Sequence, residues 1–155
     1  MGEDDPSGIY ARESSYLDRY VQLGIAGDRV VSTSFPQTPK DDAAADHPLL
    51  DRIGAYLRGE EDNFADVTIG LTVPTDRRAV LEAAREIPYG EQLSVGRVIG
   101  TVADLDPESD EDGDLVRTAL AENPVPLLIP DHRVRDGPSG APPPVEQRLR
   151  SVEGL

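Results

Sequence analysis

The chain has 155 residues, of which 37% are apolar, and carries a formal net charge of −15 at pH 7. That length allows one domain or two small ones with a modest core. The chain contains no cysteine, which excludes disulfides, thiolate catalysis and cysteine-ligated metals.

The charged residues are rich in acids and poor in lysine, with fourteen arginines and a single lysine, Lys40. This composition is typical of a salt-accumulating, halophilic cell, in which net charge maintains solubility. At about 1 M salt the Debye length is about 3 Å, so the global charge does not exclude DNA as a partner. No apolar run approaches the roughly 18 residues of a membrane span, and the acidic residues 1–5 do not resemble a secretory signal. We expect a cytoplasmic monomer without a membrane partner.

The first half of the chain is predicted to be a small α+β domain behind a tail. Residues 1–15 are acidic, rich in Ser and Gly, and without periodicity, which predicts a mobile tail. Further along, Gly27 and Asp28 separate two alternating apolar stretches, which is typical of a hairpin. Asp46 is a predicted helix N-cap, with His47 a surface residue beside it. The predicted elements are a hairpin over 20–26 and 29–35, a helix over 48–58 and a strand over 67–73.

The second half of the chain is predicted to be mostly helical. Thr75 and Ser94 are candidate N-caps, and each is followed by apolar residues at helical spacing. Residues 104–114 hold seven acids and no base, and a further apolar stripe follows them. Two short helices across a turn form a helix-turn-helix-like unit, in which the second helix is the recognition helix. A last helix is predicted over 144–152.

The segment after this unit has a residue order that suggests a chemical site. The preceding helix ends at Asn123-Pro124, because proline has no N–H and clashes with a continuing helix. The apolar run 125–129 is predicted to be buried and extended. It delivers three polar residues to one place at its end: Asp131, His132 and Arg133.

Several motifs of the second half occur in the order found in one known family. They are Ile87-Pro88-Tyr89-Gly90-Glu91, Asn123-Pro124-x-Pro126, Pro130-x-His132-Arg133-Val134, Asp136-Gly137 and Glu153-Gly154. From about residue 76 to residue 153 the chain resembles the DNA-binding domain of the alkylguanine-DNA alkyltransferases. The resemblance implies an α+β fold, in which a small N-terminal β-hairpin and helix domain (16–74) precedes a mostly helical, winged-helix-like domain (75–155).

The acceptor position departs from the family pattern. Alkylguanine-DNA alkyltransferases repair DNA by moving the alkyl group from the guanine oxygen onto their own cysteine, within a Pro-Cys-His-Arg-Val motif. In this sequence that position is Asp131, so we do not expect an active methyltransferase. Cysteine-free relatives, the alkyltransferase-like proteins, bind damaged DNA without repairing it.

The resemblance also implies roles for the neighbours of Asp131. His132 matches the histidine that takes the nucleophile's proton, Glu153 the glutamate that orients it, and Asn123 the asparagine that supports the pair. The alternative is that these residues form a satisfied, buried hydrogen-bond network that fixes the fold. No cofactor is implied, and two histidines in the whole chain exclude a histidine-rich metal site.

The family's DNA contacts carry over less completely. Val95 occupies the position of the base-flipping tyrosine, and Asp114 that of the intercalating arginine. Acids in a recognition helix would face DNA phosphate, so either that helix begins near Leu115 or the domain does not bind DNA. The expected DNA contacts are Val95 and four arginines, Arg97, Arg117, Arg133 and Arg135.

Three functions remain open. The first is an alkyltransferase-like protein associated with DNA repair, which recognises alkylated guanine in double-stranded DNA and flags it for other repair proteins. The second is a diverged structural or interaction domain without DNA affinity, whose acidic face serves a partner or solubility. The third is a DNA dealkylase, in which Asp131 accepts the alkyl group and His132 acts as base in hydrolysing the ester.

Overall fold

A three-stranded antiparallel sheet begins the fold. A computed structural model of the protein describes residues 7–155, so residues 1–6 of the predicted tail lie outside the described residues. The strands run in the order β1-β2-β3, and β2 and β3 confirm the predicted hairpin. Their bounds are Gly8–Ser14 for β1, Arg19–Ala26 for β2 and Arg29–Ser34 for β3.

The predicted mobile tail over residues 1–15 is wrong for residues 8–14, which form strand β1. Its backbone pairs with β2 from Gly8 opposite Ile25 to Ser14 opposite Arg19. On its other side, Ala11 N donates to the carbonyl of Ala44 at 2.8 Å. The strand buries Ala11 and leaves most of its other side chains at least partly exposed. Backbone hydrogen bonds therefore hold this strand in the sheet. Its side chains do not alternate clearly between apolar and polar, so the sequence does not predict a strand here.

Helix α1 (Pro48–Leu57) follows, and its N-cap is His47, not the predicted Asp46. His47 Nδ1 accepts a hydrogen bond from Leu49 N at 3.0 Å. An imidazole nitrogen thus satisfies one of the helix's free N–H groups, as a carboxylate would have done. The predicted apolar face of this helix is buried.

The predicted strand over 67–73 is wrong. The segment makes a single bridge to β3, in which Val30 N donates to Thr68 O and Gly70 N donates to Val30 O, each at 2.9 Å. Gly70 packs directly on the side chains of Arg29 and Val31. The chain then turns away to begin the next helix at Thr75, so pairing ends after one bridge.

The second half contains four further helices, as predicted from their apolar spacing. Ser94 Oγ caps α3 by accepting from Arg97 N at 3.1 Å, and Ser109 Oγ caps α4 by accepting from Asp112 N at 3.2 Å. Helix α4 therefore begins inside the acidic run and not near Leu115. Acids in its first turn meet the positive end of the helix dipole. The helices are α2 (Thr75–Arg85), α3 (Val95–Thr101), α4 (Asp110–Ala121) and α5 (Pro143–Glu153).

The run 125–129 is buried as predicted, but it is a turn and not an extended segment. Ile129 N donates to Val125 O at 2.9 Å, and Leu127 has a positive φ of 80°. Thr33 of β3 fastens this turn to the sheet, since its Oγ1 donates to Pro126 O at 2.6 Å. The turn places the next three residues against α5.

The apolar residues buried by the sheet and by the helices form one cluster, from Leu23 in β2 to Leu149 in α5. The sheet and the five helices confirm the predicted α+β class. The division into domains at residues 16–74 and 75–155 stays a prediction. None of the helices in residues 7–155 has the length and hydropathy that crossing a bilayer requires.

Candidate functional site

The buried polar residues of the second half converge where a 3-10 turn meets the end of α5. The turn, Asp131–Arg133, follows the buried segment and places three polar side chains in succession. Asp131 and His132 have no exposed surface, and Arg133 is 2% exposed. Helix α5 brings Glu153, at its last residue, against the same turn. Four ionisable groups are thus enclosed together, and burial of charge on this scale requires dense pairing.

Glu153 is the common acceptor of this cluster. His132 Nε2 lies 2.7 Å from Glu153 Oε2, and Arg133 donates from Nε to Oε1 at 2.8 Å. Gly90 N donates to Oε1 at 3.0 Å, and the Tyr56 hydroxyl donates to Oε2. Burial alone would raise the pKa of Glu153, but the hydrogen bonds from His132 and Arg133 lower it to about 2. The carboxylate is therefore ionised at neutral pH.

His132 is oriented by these contacts. Because Glu153 is ionised, Nε2 carries a proton and donates to it. The backbone carbonyl of His132 accepts from Arg150 Nε at 3.0 Å. Nδ1, in contrast, is buried and has no hydrogen-bond partner among residues 7–155. The ring is thus fixed through one nitrogen by Glu153, whereas the other nitrogen is unpaired.

Asp131 uses both carboxylate oxygens in hydrogen bonds. Ser139 Oγ donates to Oδ1 at 2.6 Å, while Gly140 N at 2.8 Å and Asn123 Nδ2 at 3.0 Å donate to Oδ2. Asn123 Nδ2 also donates to Ile129 O at 3.1 Å. Burial raises the pKa of Asp131, and the three donors oppose that rise. The structure therefore brings together the predicted residues Asn123, Asp131, His132 and Glu153.

Two proteins are similar in sequence to this chain over about two thirds of its length. A methylated-DNA–protein-cysteine methyltransferase of Methanopyrus kandleri is 33% identical over 109 residues, which cover 69% of this chain and 78% of that protein. The chain belongs to the methylated-DNA–protein-cysteine methyltransferase family. A DNA base-flipping protein of Thermus thermophilus is 30% identical over 107 residues, 68% of each chain. No protein-family model matches the sequence.

Solved structures share the fold of this family member. The O6-methylguanine methyltransferase of Mycobacterium tuberculosis superposes with a TM-score of 0.69 at 20% identity, covering 95% of this chain and 92% of that one. Its complex with DNA gives a TM-score of 0.69 at 21% identity, covering 95% and 91%. The Pyrococcus kodakaraensis methyltransferase gives 0.65 at 18% identity, covering 96% and 100%. These likenesses confirm the fold that the motifs implied.

Two residues expected at a DNA interface of this methyltransferase-family member are buried. Val95 is 3% exposed, and its side chain lies against Gly137, where an added Cβ would meet Val95 Cγ2 at 3.2 Å. Arg133 is 2% exposed and bound to Glu153. Both predictions of DNA contact are wrong for this structure, because the side chains belong to the core. Sequence spacing places a residue on an element but does not show which way it faces.

The other three arginines are exposed. Arg97 lies on α3, Arg117 on α4 and Arg135 just after the 3-10 turn. Arg117 lines the groove between α3 and α4, together with Asp110 and Asp114. The groove of this helix-turn-helix unit thus mixes one guanidinium with carboxylates.

Tyr56 belongs to the site, although sequence reasoning did not find it. It lies on α1, is 1% exposed, and reaches both Glu153 and His132, with its hydroxyl 3.3 Å from His132 Nε2. Burial and the Glu153 charge raise the pKa of Tyr56, so the phenol keeps its proton and donates. The only sequence signal was its spacing three residues after Ile53, which indicated burial and nothing more.

Replacing Tyr56 with phenylalanine is expected to lower the free energy of unfolding by about 1.5 kcal/mol, the value of a hydrogen bond to a charged group. Glu153 keeps its other donors, so the fold should persist. Denaturant unfolding measures the loss. Tyr89→Phe is the matched control, because within the described part of the chain the Tyr89 hydroxyl donates only to Val152 O, at 3.3 Å. Equal losses in the two variants would contradict a specific Tyr56 contact.

Proposed function

We propose that this protein is a non-transferring, alkyltransferase-like member of its family that recognises alkylated guanine in double-stranded DNA and flags it for other repair proteins. The observation that carries the proposal is Asp131. It stands in the acceptor position beside a histidine and glutamate arranged as a base and its orienter, with His132 Nε2 2.7 Å from Glu153 Oε2. His132 and Glu153 are therefore present beside the acceptor position, whereas the acceptor cysteine itself is replaced by Asp131.

The contacts of Asp131 argue against alkyl transfer. A carboxylate is a much weaker nucleophile than a thiolate. Here both of its oxygens accept hydrogen bonds, from Asn123, Ser139 and Gly140, and neither reaches solvent. Those bonds would have to break before Asp131 attacked an alkyl carbon. The same reasoning makes the dealkylase the weakest of the three functions.

DNA recognition is supported by the exposed arginines and by the relatives. Arg97, Arg117 and Arg135 lie on or beside the helix-turn-helix unit, where guanidinium groups suit phosphate. A relative from Thermus thermophilus is named a DNA base-flipping protein, and the Mycobacterium tuberculosis enzyme has been solved with DNA. We extend DNA binding to this chain on those grounds.

One observation favours the second candidate, an interaction domain without DNA affinity. Helix α4 begins at Asp110, and Asp110, Glu111 and Asp114 are exposed on its first turns. Because α4 does not begin near Leu115, these carboxylates would meet phosphate if α4 approached DNA as a recognition helix. DNA binding by this helix therefore requires salt that screens the carboxylates, and otherwise this observation stands against it. An acidic helix end of this kind suits a basic protein partner or solubility in salt.

Binding to duplex DNA separates the two candidates. The protein is titrated in high-potassium buffer with a duplex that carries one O6-methylated guanine, and with the same duplex undamaged. We expect tighter binding to the damaged duplex. If a folded protein binds neither duplex, damage recognition is ruled out and the interaction domain remains.

Arg117→Ala is expected to weaken duplex binding about fivefold at roughly 0.1 M salt and to reduce the salt slope by about one, as loss of one phosphate contact does. Arg58→Ala is the control, because Arg58 is an exposed arginine at the end of α1 and its loss changes the net charge equally. Fluorescence anisotropy at several salt concentrations measures both. Equal weakening in the two variants would show a general charge effect and contradict a contact by Arg117.

A further inference from the structure

A cleft of about 310 Å³ lies between the end of β1 and helix α1. A ligand pocket usually measures about 300–1,000 Å³, so this cleft has room for one large side chain and not for the face of a folded domain. Its lining includes no member of the polar cluster around Asp131 and Glu153. The floor is apolar and consists of four side chains that are at most 7% exposed: Val21, Leu50, Ile53 and Leu57.

Gly54 lines the cleft from the middle of α1. Glycine disfavours the interior of a helix, so its presence there requires a reason. Outside the helix backbone, the nearest atom that an added Cβ would meet is Arg58 Nη1 at 3.5 Å, which is ordinary van der Waals contact. Neither close packing nor a left-handed backbone therefore requires glycine at this position. A larger side chain would instead occupy the space of the cleft.

The edge of β1 beside the cleft is only partly paired. On the side away from β2, Ala44 N donates to Ile9 O at 3.0 Å and Ala11 N donates to Ala44 O at 2.8 Å. Alternation along the strand directs the N–H and C=O of Glu13 to the same side. Glu13 also lines the cleft, and no backbone group of residues 7–155 pairs with it on that side. A free strand edge of this kind binds an extended peptide as an added strand.

The rim of the cleft carries two guanidinium groups. Arg12 is already fixed, because it donates to the Asp51 carboxylate and to Ala45 O. Arg58 is exposed and forms no ion pair with any residue of 7–155. Strand alternation turns the Glu13 side chain to the face of the sheet opposite that of Arg12. The Arg58 charge therefore remains available to a carboxylate of a ligand.

We propose that this cleft binds an extended segment of a partner protein, in which a large apolar residue and an acidic residue lie two positions apart. Residues at this spacing face the same side of a strand. The segment adds to β1 at Glu13, places its apolar side chain on the floor beside Gly54, and pairs its carboxylate with Arg58. This inference goes beyond the proposed function, because the cleft lies outside the helix-turn-helix unit and its ligand is not DNA.

Three synthetic peptides test the proposal by fluorescence anisotropy with the full chain, in high-potassium buffer that screens the net charge beyond contact distance. The probe is fluorescein-labelled Thr-Asp-Thr-Leu-Thr-Asp-Thr. Serine replaces the leucine in the second peptide, and asparagine replaces both aspartates in the third. We expect the serine peptide to bind at least about tenfold more weakly than the probe, because burial of the leucine is lost. The asparagine peptide should bind about threefold more weakly, as loss of a partly exposed ion pair predicts.

Gly54→Leu fills the cleft from the protein side and should weaken binding of the probe at least about tenfold, because the new side chain takes the place of the probe's leucine. Its midpoint of denaturant unfolding should not fall, since leucine is a better helix former than glycine. Gly100→Leu is the matched control: Gly100 lies on α3, and an added Cβ there meets nothing within 4 Å. This variant should bind the probe as the wild type does.

Glu13→Pro tests the strand edge separately. It removes the outward N–H from an edge strand, where proline is tolerated. Binding of the probe should weaken about fivefold, the value of one hydrogen bond. Circular dichroism establishes whether each variant is folded, and Gly54→Leu remains decisive if Glu13→Pro does not fold.

Three results would overturn the inference. The first is a folded wild type that binds the probe no better than the serine peptide. The second is equal affinity of the wild type and of folded Gly54→Leu for the probe. The third is a dimer of the wild type, measured by sedimentation equilibrium, that Gly54→Leu dissociates, since the cleft would then hold a second copy of this chain.

Discussion

Replacing Glu153 with alanine is expected to lower the free energy of unfolding by about 3–5 kcal/mol, the cost of removing one partner from a buried ion pair. Arg133, which is 2% exposed in this structure, would lose its carboxylate partner. Tyr56, His132 Nε2 and Gly90 N would lose their acceptor as well. Denaturant unfolding at neutral pH, in high-potassium buffer, measures the loss.

Glu146→Ala is the matched control, on the same helix α5. Glu146 pairs with Arg150 at 3.4 Å, and their side chains are 19% and 26% exposed. A partly exposed pair at this spacing contributes about 0.5 kcal/mol, so this variant should remain close to the wild type. If both variants lost the same stability, the helix would be the sensitive feature and not the buried cluster around Glu153.

Because the pKa of Glu153 is lowered, the stability that this cluster contributes depends on pH. Its pKa is about 2 in the folded protein, against an ordinary 4.5. Because the folded state holds this proton less tightly than the unfolded state, the ionised cluster stabilises the fold above about pH 4.5, and that stability is lost as the pH falls toward 2. Glu153→Gln does not titrate. Its deficit relative to the wild type should therefore shrink across this window; a constant deficit would contradict the assignment.

The polar cluster could be predicted in part because its members lie close to one motif. Asn123, Asp131 and His132 flank a single turn, and the terminal Glu153 follows from the resemblance. Tyr56 could not be predicted, because it lies 97 residues from Glu153 and its helical spacing indicates only a buried face. Which atoms a buried hydroxyl contacts depends on how α1 packs on α5, and that is a tertiary property.

Three of the corrected predictions, for β1, Val95 and Arg133, depend on contacts between distant parts of the chain. Strand β1 is fixed by backbone hydrogen bonds to residues far along the chain, which side-chain periodicity does not report. Val95 and Arg133 were assigned to a DNA surface by position, but the packing around Gly137 and Glu153 turned both inward. The hydrogen bonds from Ser139 and Gly140 to Asp131 could not be predicted from the sequence either. Local pattern identified helices and turns, whereas contacts across the fold decided the orientation of each side chain.

Neutralising the first turns of α4 is expected to raise affinity for duplex DNA about 30-fold in roughly 0.01 M salt, at about 0.5–1 kcal/mol for each carboxylate near phosphate. The variant combines Asp110→Asn, Glu111→Gln and Asp114→Asn, all at exposed positions. Asp112 is left unchanged, because its Oδ2 accepts from Asp106 N at 2.8 Å. The gain should fall steeply toward 1 M salt, where charges are screened beyond about 3 Å. Anisotropy titrations across this salt range measure it.

The control changes the same number of carboxylates on the N-terminal half, as Asp41→Asn, Asp42→Asn and Glu60→Gln, at positions that are also exposed. Net charge alone would raise affinity equally in both variants, whereas a docked α4 would raise it mainly in the first. A selective gain means that α4 approaches phosphate and that its acids weaken an existing DNA interface. No gain in either folded variant would mean that this helix does not face DNA. The exposed carboxylates of Asp110, Glu111 and Asp114 would then serve a protein partner or solubility, as the interaction-domain candidate proposes.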